Sequence, residues 1–306
     1  MKFPTIRAIA VLVTLFLAAL VALGIRGSVL GDDLPPGYEQ LIGVTVWADG
    51  NTAIVVVQSN GEPNHGSPYF PTNDPRYEPY NGSNPNFQLN PNHISAQTIE
   101  FHIPLNPQAA SNHQATPLGP IGVALNGVSF FNQYAGPNQP LTNEINSFDQ
   151  YSGHPQQQGM YHYHVEPLFL TSQNGEDGLL GFLLDGFPVY GPLENGNTIT
   201  NADLDQYHGH FHATADYPNG IYHYHFTSTE PYLNGTGFYG TPGTVVYGFS
   251  PLPTPTAATV GGLTQLSGTH GLSDETTAGT LVLVVGAAVL LTALALGGWV
   301  ASSRPR

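Results

Sequence analysis

The sequence predicts a mainly β fold, a single β domain with an internal duplication, carried between two apolar terminal segments. Three observations predict it. The tetrapeptide Tyr-His-Tyr-His occurs twice, at 161–164 and 222–225, each time after a Gly and an apolar residue (Gly159-Met160 and Gly220-Ile221). Apolar runs enter and leave Asn126-Gly127 and Asp185-Gly186, the dipeptide types that most strongly mark two-residue hairpin turns. No stretch of the central region carries a convincing amphipathic helical period over three turns.

The repeat extends beyond the tetrapeptide. Phe148-Asp149-Gln150-Tyr151-Ser152-Gly153-His154 matches Leu204-Asp205-Gln206-Tyr207-His208-Gly209-His210 at five of seven positions. Further upstream, the run from Gly122 to Phe131 resembles the run from Gly181 to Tyr190. Three blocks in one order at nearly one spacing define two units, about 121–166 and 180–227. Each reads as a hairpin, a polar connection carrying Asp and Gly-His, and a closing Tyr-His-Tyr-His strand. A pseudo-twofold axis relating the units is the expected arrangement.

From the N-terminus, Lys2 and Arg7 precede an apolar stretch from about Ala8 to Ile25. That is the pattern of a signal peptide or, if uncleaved, a signal anchor over residues 1–26. The β domain is expected over 38–250. Leu41–Trp47 and Ala53–Val57 read as a hairpin around Asp49-Gly50. Residues 59–93, rich in Asn, Pro, Gly and Tyr, read as a long ordered loop. Gln97–Ile103 alternates as a strand, and Thr244–Phe249 reads as a last one. Residues 251–278 form a Pro/Thr/Gly/Ser linker. Residues 280–300 are apolar, uncharged and long enough to span a bilayer. Arg304 and Arg306 in the 301–306 tail place that end in the cytoplasm. The expectation is a single-pass protein of the cell membrane with an extracellular domain, its membrane partner engaged through the C-terminal helix.

Charge and composition exclude several functions. All 21 Asp and Glu lie between Asp32 and Glu275, against a single Arg (Arg76), a net charge of −20 over that interval. Such a surface repels nucleic acid and attracts cations. The chain has no Cys, which removes disulfides, thiolate metal sites and Cys nucleophiles. Gly-x-Ser-x-Gly, His-Glu-x-x-His and a phosphate-binding Gly-rich loop are absent from the sequence. A conventional hydrolase is not supported, and no protein or glycan partner is indicated.

Alternation at period two puts His162 and His164 on one face of a strand, and His223 and His225 on the matching face of another. Neutral imidazole suits Zn²⁺ and Cu²⁺, which take three or four ligands. The candidate ligands are His162, His164, His223 and His225, with His154 and His210 from the Gly-His segments. Asp149 and Asp205 are candidate ligands or acceptors that fix an imidazole tautomer. The repetition allows one shared site at the axis or two similar sites. The competing reading is a buried His-Tyr hydrogen-bonded ladder with no metal. A metal-dependent enzyme and a non-catalytic surface or adhesion module are the functional alternatives to a simple metal binder. Asp185 reads as a turn residue, His208 and His212 as surface residues or accessory ligands, and His65 as part of a loop over a site.

These motifs resemble those of the YHYH-domain family. The carriers are Ile121–Gly127, Asp149–Pro155, Gly159–His164, Gly181–Pro192, Leu204–His210 and Tyr222–His225, spanning about 115–227. The resemblance implies no established activity. It also implies a departure, because Tyr151 and Tyr207 stand where the family pattern has Cys. A joint replacement is what a disulfide pair would show, and it implies that Tyr151 and Tyr207 are neighbours at the axis.

Overall fold

A computed structural model describes residues 34–235 and 237–248. The two expected apolar terminal segments and the linker, with the second compact unit over 253–306, lie outside the described residues. Among the described residues, no helix is long and apolar enough to cross a membrane.

The domain is mainly β, as the alternation predicts. The N-terminal hairpin is β1 (Thr45–Asp49) and β2 (Ile54–Ser59), paired with β3 (Ile99–Pro104). Strand β1 starts four residues later than expected. The backbone N–H of Ile42 instead donates to Leu125 O at 2.8 Å, which ties this stretch to the second sheet. Strand β16 (Thr244–Tyr247) completes a four-stranded sheet in the order β1-β2-β3-β16. In β3, Ile99, Phe101 and Ile103 are buried and the residues between them half-buried, the signature of a sheet with one face on a core. Residues 60–98 form no named strand, and a bridge between Ser67 and Tyr77 folds the loop back on itself.

The second sheet has eight strands. Its first half is the hairpin β4 (Pro120–Ala124) and β5 (Ser129–Phe131), then β9 (Tyr161–Tyr163) parallel to β5, then β8 (Gly153–Pro155) at the edge. Its second half is β10 (Leu179–Leu183) and β11 (Pro188–Tyr190), then β15 (Ile221–His225) parallel to β11, then β14 (Gly209–His212). The order is β14-β15-β11-β10-β4-β5-β9-β8, which reads alike from either end. The halves meet antiparallel at the centre, with Ala124 opposite Gly181, Val123 opposite Phe182 and Gly122 opposite Leu183. Two-stranded ribbons, β6 (Tyr134–Ala135) with β7 (Gln139–Pro140) and β12 (Leu193–Glu194) with β13 (Asn197–Thr198), lie in the polar connections. The α-helix α1 (Leu168–Asn174) has seven residues. One core joins the sheets, with Val55, Val57 and Phe101 from the first and Val123, Phe130, Phe182 and Val189 from the second.

This topology corrects one expectation. Tyr151 and Tyr207 precede the two edge strands, at opposite ends of the sheet. Tyr151 packs on His65 and Phe169, and Tyr207 stacks on His113. The two halves of the sheet meet between β4 and β10, and Tyr151 and Tyr207 do not meet there.

Candidate metal centres

Strand pairing builds each histidine cluster. His154 on β8 lies directly across from His162 on β9, and His210 on β14 directly across from His223 on β15. Directly opposed residues project to the same face with Cβ atoms about 5 Å apart, and residues i and i+2 share a face at about 7 Å. Adding His164 and His225 makes a triangle of imidazoles at each end of the sheet. Gly153 and Gly209 precede the edge-strand histidines because a Cβ there would fall within 2.5 Å of the Tyr161 and Tyr222 rings. The glycines thus leave room for the tyrosines on the reverse face.

At the first cluster, His154 Nε2 lies 3.0 Å from His162 Nε2, which lies 3.0 Å from His164 Nε2. At the second, His210 and His223 Nε2 are 3.2 Å apart, and His223 and His225 Nε2 3.1 Å apart. The outer nitrogens are already committed. His162 Nδ1 donates to Met160 O and His164 Nδ1 to Asn132 O. His223 Nδ1 donates to Ile221 O and His225 Nδ1 to Gly191 O. Ser147 Oγ donates to Glu144 O and so accepts from His154 Nδ1. A neutral imidazole carries one proton. With that proton on Nδ1, the converging Nε2 atoms of these five histidines are bare lone pairs.

Protonation does not relieve the conflict. Burial, reinforced by the neighbouring His154 and His164, holds His162 far below the ordinary imidazole range. Burial and His164 push His154 down to about 3, and burial lowers His164 to about 4. Burial also lowers His223 and His225 to about 4. A cation does relieve it. Tetrahedral nitrogens on a metal with bonds of about 2.0–2.1 Å sit about 3.3 Å apart, close to the observed spacing.

A carboxylate completes each set. Glu144, His154, His162 and His164 offer ligand atoms all within 4.8 Å of one another, as do Glu194, His210, His223 and His225. Glu144 Oε1 stands 3.3 Å from His154 Nε2. Glu194 Oε1 stands 3.4 Å from His210, 3.2 Å from His223 and 4.0 Å from His225, and 3.0 Å from His212 Nδ1. These glutamates are absent from the sequence-based set because they lie outside the repeated blocks. They also come from different elements, Glu144 from a 3-10 turn (Glu144–Ser147) and Glu194 from β12. One signal was present, since Glu144 is the only acidic residue between Asn126 and Asp149.

The structure brings together all six candidate histidines, three and three, in two separate centres. Four strands lie between β9 and β15, five steps of about 4.8 Å or about 24 Å, so no shared site forms at the axis. It does not bring Asp149 or Asp205 to either centre. Asp149 accepts from Tyr161 OH, Ser67 Oγ and the Tyr151 and Gly153 backbone N–H groups on the tyrosine face. Asp205 accepts from Tyr222 OH and the Tyr207 and Gly209 backbone N–H groups. Asp185 holds its turn and also accepts from Tyr224 OH at 2.6 Å, as Asn126 bonds Tyr163 OH at 3.1 Å. His65 covers the tyrosine face, with Nε2 3.0 Å from Tyr163 OH. His208 is buried against Thr227. His212 is exposed, with Nδ1 3.0 Å from Glu194 Oε1.

No curated protein and no solved structure matches the chain. The family model described as YHYH protein matches residues 100–200 and 193–237, the segments that build both centres. On its repeated motifs and this match, the region over residues 100–237 is a domain of the YHYH protein family.

Proposed function

We propose that this domain binds a divalent transition-metal ion, Zn²⁺ or Cu²⁺, at each of two centres of three histidines and one glutamate. The observation that carries the reading is the convergence of three Nε2 atoms in each cluster, with neighbouring pairs at 3.0–3.2 Å, while the Nδ1 atoms of His154, His162, His164, His223 and His225 are held by oxygen acceptors. Fixing the tautomer through the outer nitrogen is how proteins prepare imidazole for a metal. Imidazole and carboxylate together suit both ions. Without an ion, three buried lone pairs would face each other uncompensated at the first centre, which argues against a purely structural ladder.

The alike-from-both-ends strand order and the central register support reading the two halves as a duplicated unit. The apolar terminal segments and the acidic interval between them support an extracellular domain held on the cell membrane.

The test is elemental analysis of the full chain, purified without a polyhistidine tag or chelator, then reconstituted and dialysed. Two equivalents of Zn or Cu are expected, one in His162→Ala and none in the His162→Ala/His223→Ala double variant. Absence of stoichiometric metal after reconstitution would overturn the proposal.

A further inference from the structure

The two centres share a backbone frame and differ in what closes them. At the second, Glu194 Oε1 approaches all three imidazoles, at 3.2, 3.4 and 4.0 Å, and His212 Nδ1 lies 3.0 Å from it. Four protein donor atoms then lie within 4.8 Å of one another, enough to fill a four-coordinate site. At the first, Glu144 approaches His154 at 3.3 Å from one side of the triangle, and all three histidines line a cleft of about 560 Å³. The cleft at the second centre is smaller, about 220 Å³; His223 and His225 line it with the Asp177 and Glu194 carboxylates, and His210 does not. Closed four-ligand sites are structural, whereas sites that leave a position open exchange ligands.

The lining of the larger cleft fits one class of ligand. Beyond the histidines, its only charged residue is Glu144. Asn92, Gln156, Gln157 and Gln158 supply amide donors and acceptors, and Tyr134 and Leu118 are exposed on its rim. A volume of several hundred Å³ suits a small molecule rather than a macromolecule. With one Arg against 21 acidic residues between Asp32 and Glu275, the surrounding field disfavours an anion.

We propose that the first centre keeps a coordination position open to this cleft and binds there a neutral small molecule bearing hydroxyl or amide oxygens, while the second centre is closed. The inference rests on the metal reading above, and the two fail differently. The full chain is loaded with Co²⁺, whose visible absorption reports its ligands, and titrated with acetohydroxamic acid. The expected result is two Co²⁺ per chain, of which one changes its spectrum and takes up one equivalent of probe. His162→Ala abolishes the response. Leu118→Trp, on the rim, weakens the probe at least threefold without changing metal content. Succinic acid monohydroxamate, which adds one carboxylate to the same chelating head, binds at least threefold more weakly.

A chain that binds two Co²⁺ with no response, or with both ions responding alike, overturns the inference and leaves the metal reading standing. Unchanged probe affinity in Leu118→Trp moves the responsive ion out of the cleft and also overturns it. Tighter binding of the charged probe overturns the assignment to neutral ligands. A chain that binds no Co²⁺ removes both readings.

Discussion

The two faces of the Tyr-His-Tyr-His strands differ in whether protein alone satisfies them. On the tyrosine face the hydrogen bonding closes. Tyr161 OH meets Asp149 at 2.8 Å, and Tyr224 OH meets Asp185 at 2.6 Å. Asn126 donates to Tyr163 OH, which donates to His65 Nε2, and His65 Nδ1 donates to Gly66 O. His65 shows what a satisfied buried histidine looks like, with one nitrogen accepting and the other donating. On the opposite face the same accounting fails at the Nε2 atoms of His154, His162, His164, His223 and His225, whose protons are held on Nδ1. Buried polar atoms without partners are rare in native proteins, so the difference marks the imidazole face as the one that could hold an ion.

Removing the ion is the harshest way to break the comparison. Chelation should destabilise the domain by roughly 3 kcal/mol for each site that had been held at a hundredfold excess over its Kd. That corresponds to a fall in Tm of about 5–10 °C per site for a domain of this size, read by calorimetry. No change in Tm on chelation of a chain shown to hold metal would mean that the histidine face is satisfied without it.

The tyrosine face is attacked by Tyr161→Phe, which strips a donor from Asp149. That carboxylate is 5% exposed, so the loss should cost about 1–3 kcal/mol. Tyr222→Phe makes the same change at the second unit, where Asp205 is exposed, and water replaces the lost donor for under about 1 kcal/mol. Urea denaturation of the two variants measures both, and metal content should hold at two equivalents in each. Equal costs would mean that burial of the acceptor does not set the penalty.

This contrast also shows what the sequence could reveal. Period-two alternation placed four histidines on common faces, and the repeated Gly-His segments named His154 and His210, because strand geometry converts spacing directly into facing. The hairpins were legible for the same local reason, in Asn126-Gly127 and Asp185-Gly186. What the sequence did not show is set by long-range pairing. Whether like strands meet at the axis or lie at opposite edges depends on sheet order, and that decided against both a shared site and a Tyr151–Tyr207 contact. Glu144 and Glu194 were hidden because they reach equivalent places from unequal elements. Asp149 and Asp205 sit in repeated blocks beside the Gly-His segments, yet their backbone turns them to the tyrosines.

His65 sharpens the comparison through pH. Burial lowers it to about 4, below its unfolded value of about 6.5. A depressed folded value means that the unfolded chain binds the proton first. The contribution is therefore complete above pH 6.5 and is lost as pH falls towards 4, by about 2 kcal/mol between pH 7 and 5. In metal-free protein, His65→Gln should flatten the loss of stability over that window by about this amount. An unchanged slope would show that His65 reaches water in the native state.

The smallest effect is expected at Asp185, where the two units themselves supply the control. Burial raises Asp185 to about 6, above the usual carboxylate value of about 3.9. Here the folded state binds the proton first, so the contribution is present at low pH and lost as pH rises through 6, about 1 kcal/mol between pH 5 and 7. Asp185→Asn abolishes that dependence. An Asn oxygen in place of Asp185 Oδ2 still accepts from Tyr224 OH and the Gly240 N–H, and only the long 3.4 Å contact from Phe187 N is lost. Asn126 already fills the matching turn in the first unit with a neutral amide on Tyr163. Stability at pH 7 should therefore stay within about 1 kcal/mol of the parent, with both metal equivalents retained. A loss of several kcal/mol would mean that the second unit needs a charge where the first does not, and that the tyrosine faces, like the metal centres, have diverged.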